Sequence, residues 1–329
     1  MSFNTLIGNL RIKTWLSRVI ADDRLPASLI FYGQQGVGKR SFALAFAQAV
    51  NCMATERPCG GCHVCKRIQQ LAHPDVLEVI PEGQFIKIEQ VRKLIEEAYY
   101  APFEGRKRIF IINSAERLKE QAANALLKTL EEPPSTSVIV LLTTSIDALL
   151  PTIKSRSVKL NFSPVEEGEL LQYVASKCGK SGLELLLLTR LCAGSPGKAL
   201  EIDLSTYKQR RQELVAVLEA LTRRDLISIV RSAELLGKRE REEFIAYLEI
   251  LRCLLRDMIL LKAGISDTMV NVDLERTLSQ FAAAFLQKSL EGFFHQVCVI
   301  ESDLQRNINR QLVLEKTFLS VIDACRKSV

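Results

Sequence analysis

No stretch of eighteen consecutive apolar residues occurs in this chain of 329 residues, so nothing in it reads as a transmembrane helix. The opening MSFNTLIGNLRIK also lacks the basic-then-apolar order of a secretion signal. Both absences point to a cytoplasmic location. Neither an internal repeat nor a low-complexity tract is evident, which leaves ordinary packed domains as the organising units. Nor is there a strong excess of one charge: 44 Lys and Arg against 38 Asp and Glu give a net charge of +6. That balance is compatible with a nucleic-acid or acidic partner, and equally with a mildly basic solvated surface. Hydrophobic residues make up 47% of the chain, enough for a sizeable core, and the length exceeds what one core organises. Two or three domains are expected.

Nine cysteines are unusual as disulfides in a reducing cytosol, and they divide unevenly. Cys52, Cys59, Cys62 and Cys65 crowd together, while Cys178, Cys192, Cys253, Cys298 and Cys325 are scattered among apolar neighbours as small buried hydrophobes. In the first half, short apolar runs at residues 29–32, 76–80, 109–112 and 138–142, with a weaker one at 158–162, alternate with helical patterns at 40–50, 88–98 and 118–131. Strands alternating with helices predict an α/β domain, and continuous apolar strands predict a parallel sheet covered on both faces. After Pro164 the strand signal disappears. Helices are expected at 166–177 and 183–192, and a third beginning at Ser195-Pro196, a Ser cap with Pro at the first helical position. From about Tyr207 to Ser328 the pattern is helical throughout, with breaks near Arg224-Asp225, Gly237 and residues 264–271. The charged run KREREE at 238–243 reads as a solvated helix start.

The segment GQQGVGKRSFALAFA, residues 33–47, nearly spells a phosphate-binding loop. Gly33, Gly36, Gly38 and Lys39 are in place between a strand and a helix, where backbone N–H groups and the helix dipole favour an anion. The next residue of such a loop offers a hydroxyl to magnesium, and here it is Arg40. Ser41 is about 100° further round the helix and does not replace it. The strand RIFIINSAERL, which would supply the acidic magnesium ligands, ends instead in Asn113 and Ser114. Glu116 comes two positions late and is expected to face solvent. Hydrolysis by this site is therefore not expected; ATP or ADP binding stays open, as does a loop kept only for its tight turn.

NCMATERPCGGCHVCK places Cys52, Cys59, Cys62 and Cys65 in two successive C-x-x-C steps with glycines between them. Four thiolates on so short a loop close a tetrahedral shell, which predicts structural zinc, with an iron–sulfur cluster or free thiols as the alternatives. His63 reads as exposed rather than as a ligand.

A strand, P-loop and helix followed directly by this knuckle is an uncommon pairing. To it are added HPD at 73–75, NALLKTLEEPP at 124–134, TTSIDALLPTIKSR at 143–156 and GSPGKAL at 194–200. Together these resemble the bacterial sliding-clamp loader, an AAA+ assembly of the DNA polymerase III holoenzyme, over essentially the full length. NINRQLVLEKTFL at 307–319 is similar to the last helix of that family's collar, and IGNLRIKTWL at 7–16 to its N-terminal box. The resemblance implies a RecA-like AAA+ domain at 1–163 with a zinc knuckle at 52–65, a helical lid at 164–204 and an all-α collar for oligomerisation at 205–329. It implies motor (tau/gamma) and delta subunits as partners, with the sliding clamp and primed DNA reached through the complex. The departures at Arg40, Asn113 and Ser114 place the chain with the family's non-motor subunits, and its length agrees, since a long motor subunit carries further domains. In this family an arginine of a Ser-Arg-Cys motif reaches into a neighbour's ATP site. Here the motif is Ser155-Arg156-Ser157, so Arg156 is the expected finger in trans, a role worth about 10³–10⁵ in rate where measured. From the residues alone, a loop arginine paired with a surface carboxylate is the plainer reading. Thr143 or Thr144 matches the family's first sensor position and Lys198 its second.

Two other readings compete with a non-motor scaffold. One is an ATP-hydrolysing motor subunit with unusual metal ligation. The other is a zinc-dependent DNA-binding protein, opposed by a knuckle that offers His63, Val64, Lys66 and Arg67 but no aromatic platform for bases.

Overall fold

The computed structural model describes residues 3–304 and 308–326. Asn307, Ser328 and the side chain of Cys325 lie outside the described parts. The chain forms two compact units, one of Met1–Cys178 with Cys192–Leu200, the other of Gly179–Leu191 with Glu201–Val329.

The first unit is built on a parallel sheet of β1 (Ser28–Tyr32), β2 (Val76–Val79), β3 (Arg108–Ile112), β4 (Ser137–Thr143) and β5 (Val158–Asn161), in the order β2-β3-β4-β1-β5. Each strand lies where the sequence places an apolar run. β3 and β4 are buried along their whole length, because helices cover both faces. Alternation within a strand then splits the core in two. Leu29, Phe31, Ile109, Ile111 and Val140 pack on one face with Phe42 and Phe46; Ile30, Phe110, Ile112, Ile139 and Leu141 pack on the other with Leu126 and Leu130. β5 is an edge strand and mostly exposed, which is why its apolar signal is weak.

The covering helices are α1 (Leu10–Ala21), α2 (Lys39–Asn51), α3 (His63–Gln69), α4 (Ile88–Ala98), α5 (Glu120–Glu131) and α6 (Pro151–Arg156). Next come α7 (Glu167–Cys178), α8 (Gly182–Leu191) and the short α9 (Lys198–Glu201). α7 and residues 192–200 cluster with the sheet, whereas α8 clusters with the helices that follow. The expected helix start at Ser195-Pro196 is displaced: α9 begins at Lys198, and the Ser195 hydroxyl donates to the Gln35 carbonyl (2.8 Å) instead of capping.

The second unit contains α10 (Leu204–Arg223), α11 (Leu226–Gly237), α12 (Arg241–Lys262), α13 (Glu275–Ala284), α14 (Gln287–Asp303) and α15 (Arg310–Arg326). The break at Arg224-Asp225 has a local cause. Arg224 takes a left-handed conformation, and the Asp225 carboxylate accepts the N–H of Ser228 to cap α11 (3.2 Å). Leu218, Leu251, Leu254, Phe293 and Phe318 centre the core of this unit. Within it the buried Asp257 accepts N–H groups of Val270 and Asn271, so the loop between α12 and α13 is pinned by satisfied polar groups.

Candidate functional site: a phosphate loop without its metal ligands

The loop leaves the carboxyl end of β1, which lies between β4 and the edge strand β5; the carboxyl ends of the strands are where open α/β folds bind ligands. Gly33 has φ +147°, and a Cβ there would lie 2.3 Å from the Phe162 carbonyl, so no other residue fits. Gly38 (φ +103°) is the N-cap of α2. The Lys39 ammonium is turned back onto its own loop, donating to the carbonyls of Gly33 (2.5 Å) and Gln34 (2.8 Å). Burial pulls its pKa below the ordinary lysine value, opposed by the charge of Glu116. Glu116, expected to face solvent, instead turns toward the loop after β4 and is half-buried: its carboxylate accepts from the backbone and hydroxyl of Thr144 (3.4 and 3.3 Å). Thr143 is buried and bonded to Ser145.

Arg40 has a specific partner. Its Nε and Nη2 donate to the two carboxylate oxygens of Glu78 on β2, each at 2.6 Å, and Asn113 Nδ2 donates to the same carboxylate at 3.3 Å. The two positions that would ligate magnesium, 40 and 113, are thus tied together through one carboxylate. A guanidinium occupies the place of a metal ligand, and the residues present do not fit a magnesium ion bridging bound phosphates. Sequence reasoning missed Glu78, whose only signal is a lone carboxylate in the strand VLEV.

A segment of the following helices closes over the loop. Gln34 Nε2 donates to Ser195 Oγ (2.6 Å) and to the Ala193 carbonyl (2.8 Å), and the Gly197 N–H donates to the Gly36 carbonyl (2.9 Å). A Cβ on Gly197 would come within 3.0 Å of Gly36 Cα, so the approach is backbone to backbone. Lys198 is exposed beside it.

At the far end of α2, the structure brings Cys52, Cys59, Cys62 and Cys65 together, with all four sulfurs within 4.8 Å of one another. The separations are 3.6 Å (Cys52–Cys59), 3.9 Å (Cys52–Cys62) and 4.0 Å (Cys59–Cys65). A tetrahedral zinc with bonds of about 2.3 Å requires sulfurs about 3.8 Å apart, so the donor set fits this metal. Backbone N–H groups point at the sulfurs: Cys62 N to Cys59 Sγ and Cys65 N to Cys62 Sγ, both 3.4 Å. The N–H groups of Cys62 and Gly61 bring the Cys59 thiol down to about 6, whereas burial pushes the Cys65 thiol up. His63 is exposed and outside the cluster. The HPD motif anchors this region from behind. Buried Asp75 accepts the N–H groups of Phe103, Glu104 and Gly105 (2.7–2.9 Å), which outweigh the effect of its burial and hold its pKa below the ordinary carboxylate value. Gln48 and Asn51 of α2 add bonds to Cys65 O and to the N–H groups of Arg106 and Lys107.

Arg156 ends α6. Its Nη1 donates to the Thr152 carbonyl (3.0 Å) and to Ser155 Oγ (3.2 Å), and Nη2 pairs with Glu131 at the end of α5 (2.6 Å). The side chain retains 34% of its exposure. Ser157, which stands where the family motif has cysteine, bonds by its hydroxyl to the hydroxyl of Ser28 on β1 (2.7 Å), so the departure leaves a satisfied contact.

Comparison with known proteins returns two families, "DNA polymerase III, delta subunit" over residues 8–166 and "DNA polymerase III, delta subunit, C terminal" over residues 205–322. The DNA polymerase III subunit delta' of Bacillus subtilis is 28% identical over 313 residues, covering 94% of each chain. That of Haemophilus influenzae is 33% identical over 259 residues, covering 78% of this chain and 77% of the relative. The tau/gamma subunit of Haemophilus influenzae is 36% identical over 176 residues, 53% of this chain but 25% of that protein.

Proposed function

The chain belongs to the delta-prime family of DNA polymerase III subunits, and from that premise we propose that it is a non-motor member of a clamp-loading ring. In this reading it helps load the sliding clamp onto primed DNA beside motor (tau/gamma) and delta subunits, and completes a neighbour's ATP site with Arg156 while its own site does not hydrolyse ATP. Residues 1–163, 164–204 and 205–329 serve as AAA+ domain, lid and oligomerising collar.

One observation carries the reading: the bidentate Arg40–Glu78 pair, with Asn113 on the same carboxylate, in the place of the magnesium ligands. Phosphoryl transfer depends on positioning and on charge stabilisation, and without a bridging metal the chain's own loop lacks the largest part of the second. Arg156 is suited to act elsewhere because it is half-exposed, permanently charged and planar, with N–H groups to spare. The cysteine cluster is assigned to structural zinc, since four thiolates leave no open coordination position for chemistry.

The alternative is an ATP-hydrolysing motor subunit, favoured by the 36% identity to a tau/gamma subunit over 53% of the chain. Reconstitution with motor subunits tests the leading reading. Arg156→Ala should assemble normally, while clamp- and DNA-stimulated turnover falls by at least the share of the one ATP site it faces. Unchanged turnover removes the finger assignment.

A further inference from the structure

We propose that Glu131 is a positioning residue for Arg156, holding the guanidinium in the plane from which it meets a neighbour's terminal phosphate. The proposal rests on the finger reading above and adds a second residue to it.

A guanidinium carries five N–H donors. Both on Nη1 are used within α6, on Thr152 O and Ser155 Oγ, and Nη2 forms an ion pair with Glu131 Oε1 at 2.6 Å. The Nε–H has no partner among the described residues and is left for a phosphate oxygen. Glu131 therefore does not compete for the donor the neighbour needs. It fixes the rotation of the group about the end of its side chain, as an orienting carboxylate does for a catalytic base.

The local physics argues that Glu131 is not placed there for stability. It is the last residue of α5, where the helix dipole disfavours a carboxylate, and Glu132 follows it. Arg156 is already held at the end of α6 by the Thr152 carbonyl, a placement the dipole favours. The pair is half in solvent, with side-chain exposures of 34% and 48%, where ion pairs contribute little to folding. What the carboxylate adds is direction. The end of NALLKTLEEPP thus gains a purpose that its apolar spacing does not reveal.

The test uses the ring reconstituted with motor subunits, clamp and primed DNA, and reads kcat and KM for ATP separately. Glu131→Gln should lower kcat about tenfold at the site served, with KM within about twofold, since misplacement costs rate rather than ground-state binding. Glu131→Asp should recover part of the loss because the charge is kept. In the Arg156→Ala background Glu131→Gln should cost nothing further, since it acts only through that arginine. An unchanged or raised kcat in Glu131→Gln overturns the proposal while leaving the finger reading intact, as does a further loss in the double variant. If Arg156→Ala itself has no effect, both readings fall. Should Glu131→Gln fold poorly, judged by its melting curve, Glu131→Asp against wild type decides: a kcat equal to wild type with the geometry altered sinks the idea, and a partial loss with KM unchanged supports it.

Discussion

At the scale of single residues, the substitution at position 40 explains more than the loss of a hydroxyl. Glu78 has a side chain only 8% exposed, and Arg40 is its charged partner. Arg40→Ala should leave that carboxylate with a single 3.3 Å contact to Asn113 and destabilise the first unit by about 1–3 kcal/mol, nearer the lower figure because Arg40 is half-exposed. Urea unfolding measures this; a midpoint unmoved against wild type would mean that water replaces the guanidinium without cost. The sequence shows what position 40 lacks, because a motif defines what should be there. It does not show what Arg40 does instead, since its partner is 38 residues away on β2. Glu116 is a similar case. Counted along the chain it is two places late for a metal, whereas in space it faces Thr144 and bears on Lys39.

Among the elements, the central strands β3 and β4 were readable because they are buried on both faces and so carry unbroken apolar runs, and α4 and α5 were readable from their period. The start at Ser195 was misplaced because local capping chemistry competes with a tertiary bond, and the loop carbonyl of Gln35 wins. The knuckle was readable from spacing alone, since ligands so close in sequence need little else to converge. α3 has seven residues, too few to persist without support, and it is capped by Cys62, whose sulfur accepts the N–H of Cys65. Metal analysis of purified protein should give about one zinc per chain. Removal by a chelator should speed amide exchange across residues 59–69 while leaving the central strands protected. Fully folded protein without metal, with α3 still protected, would end the structural-zinc assignment.

For the whole molecule, the prediction concerns what the chain does by itself. Purified alone, it should show no magnesium-dependent ATP turnover above background, because position 40 holds a guanidinium in place of a hydroxyl and position 113 a neutral amide in place of a carboxylate; measurable turnover that disappears with EDTA would favour the motor reading. The division between a strand-bearing unit and a helical one is legible in the disappearance of strand signal after Pro164, whereas the allotment of α7 and α8 to different units is not, since both carry ordinary helical patterns. The backbone clasp between Gly36 and Gly197 and the folded-back ammonium of Lys39 have one consequence for any anion that enters the loop. Lys39 must first let go of the Gly33 and Gln34 carbonyls before it can meet a phosphate, so occupancy of this loop costs two hydrogen bonds at the outset.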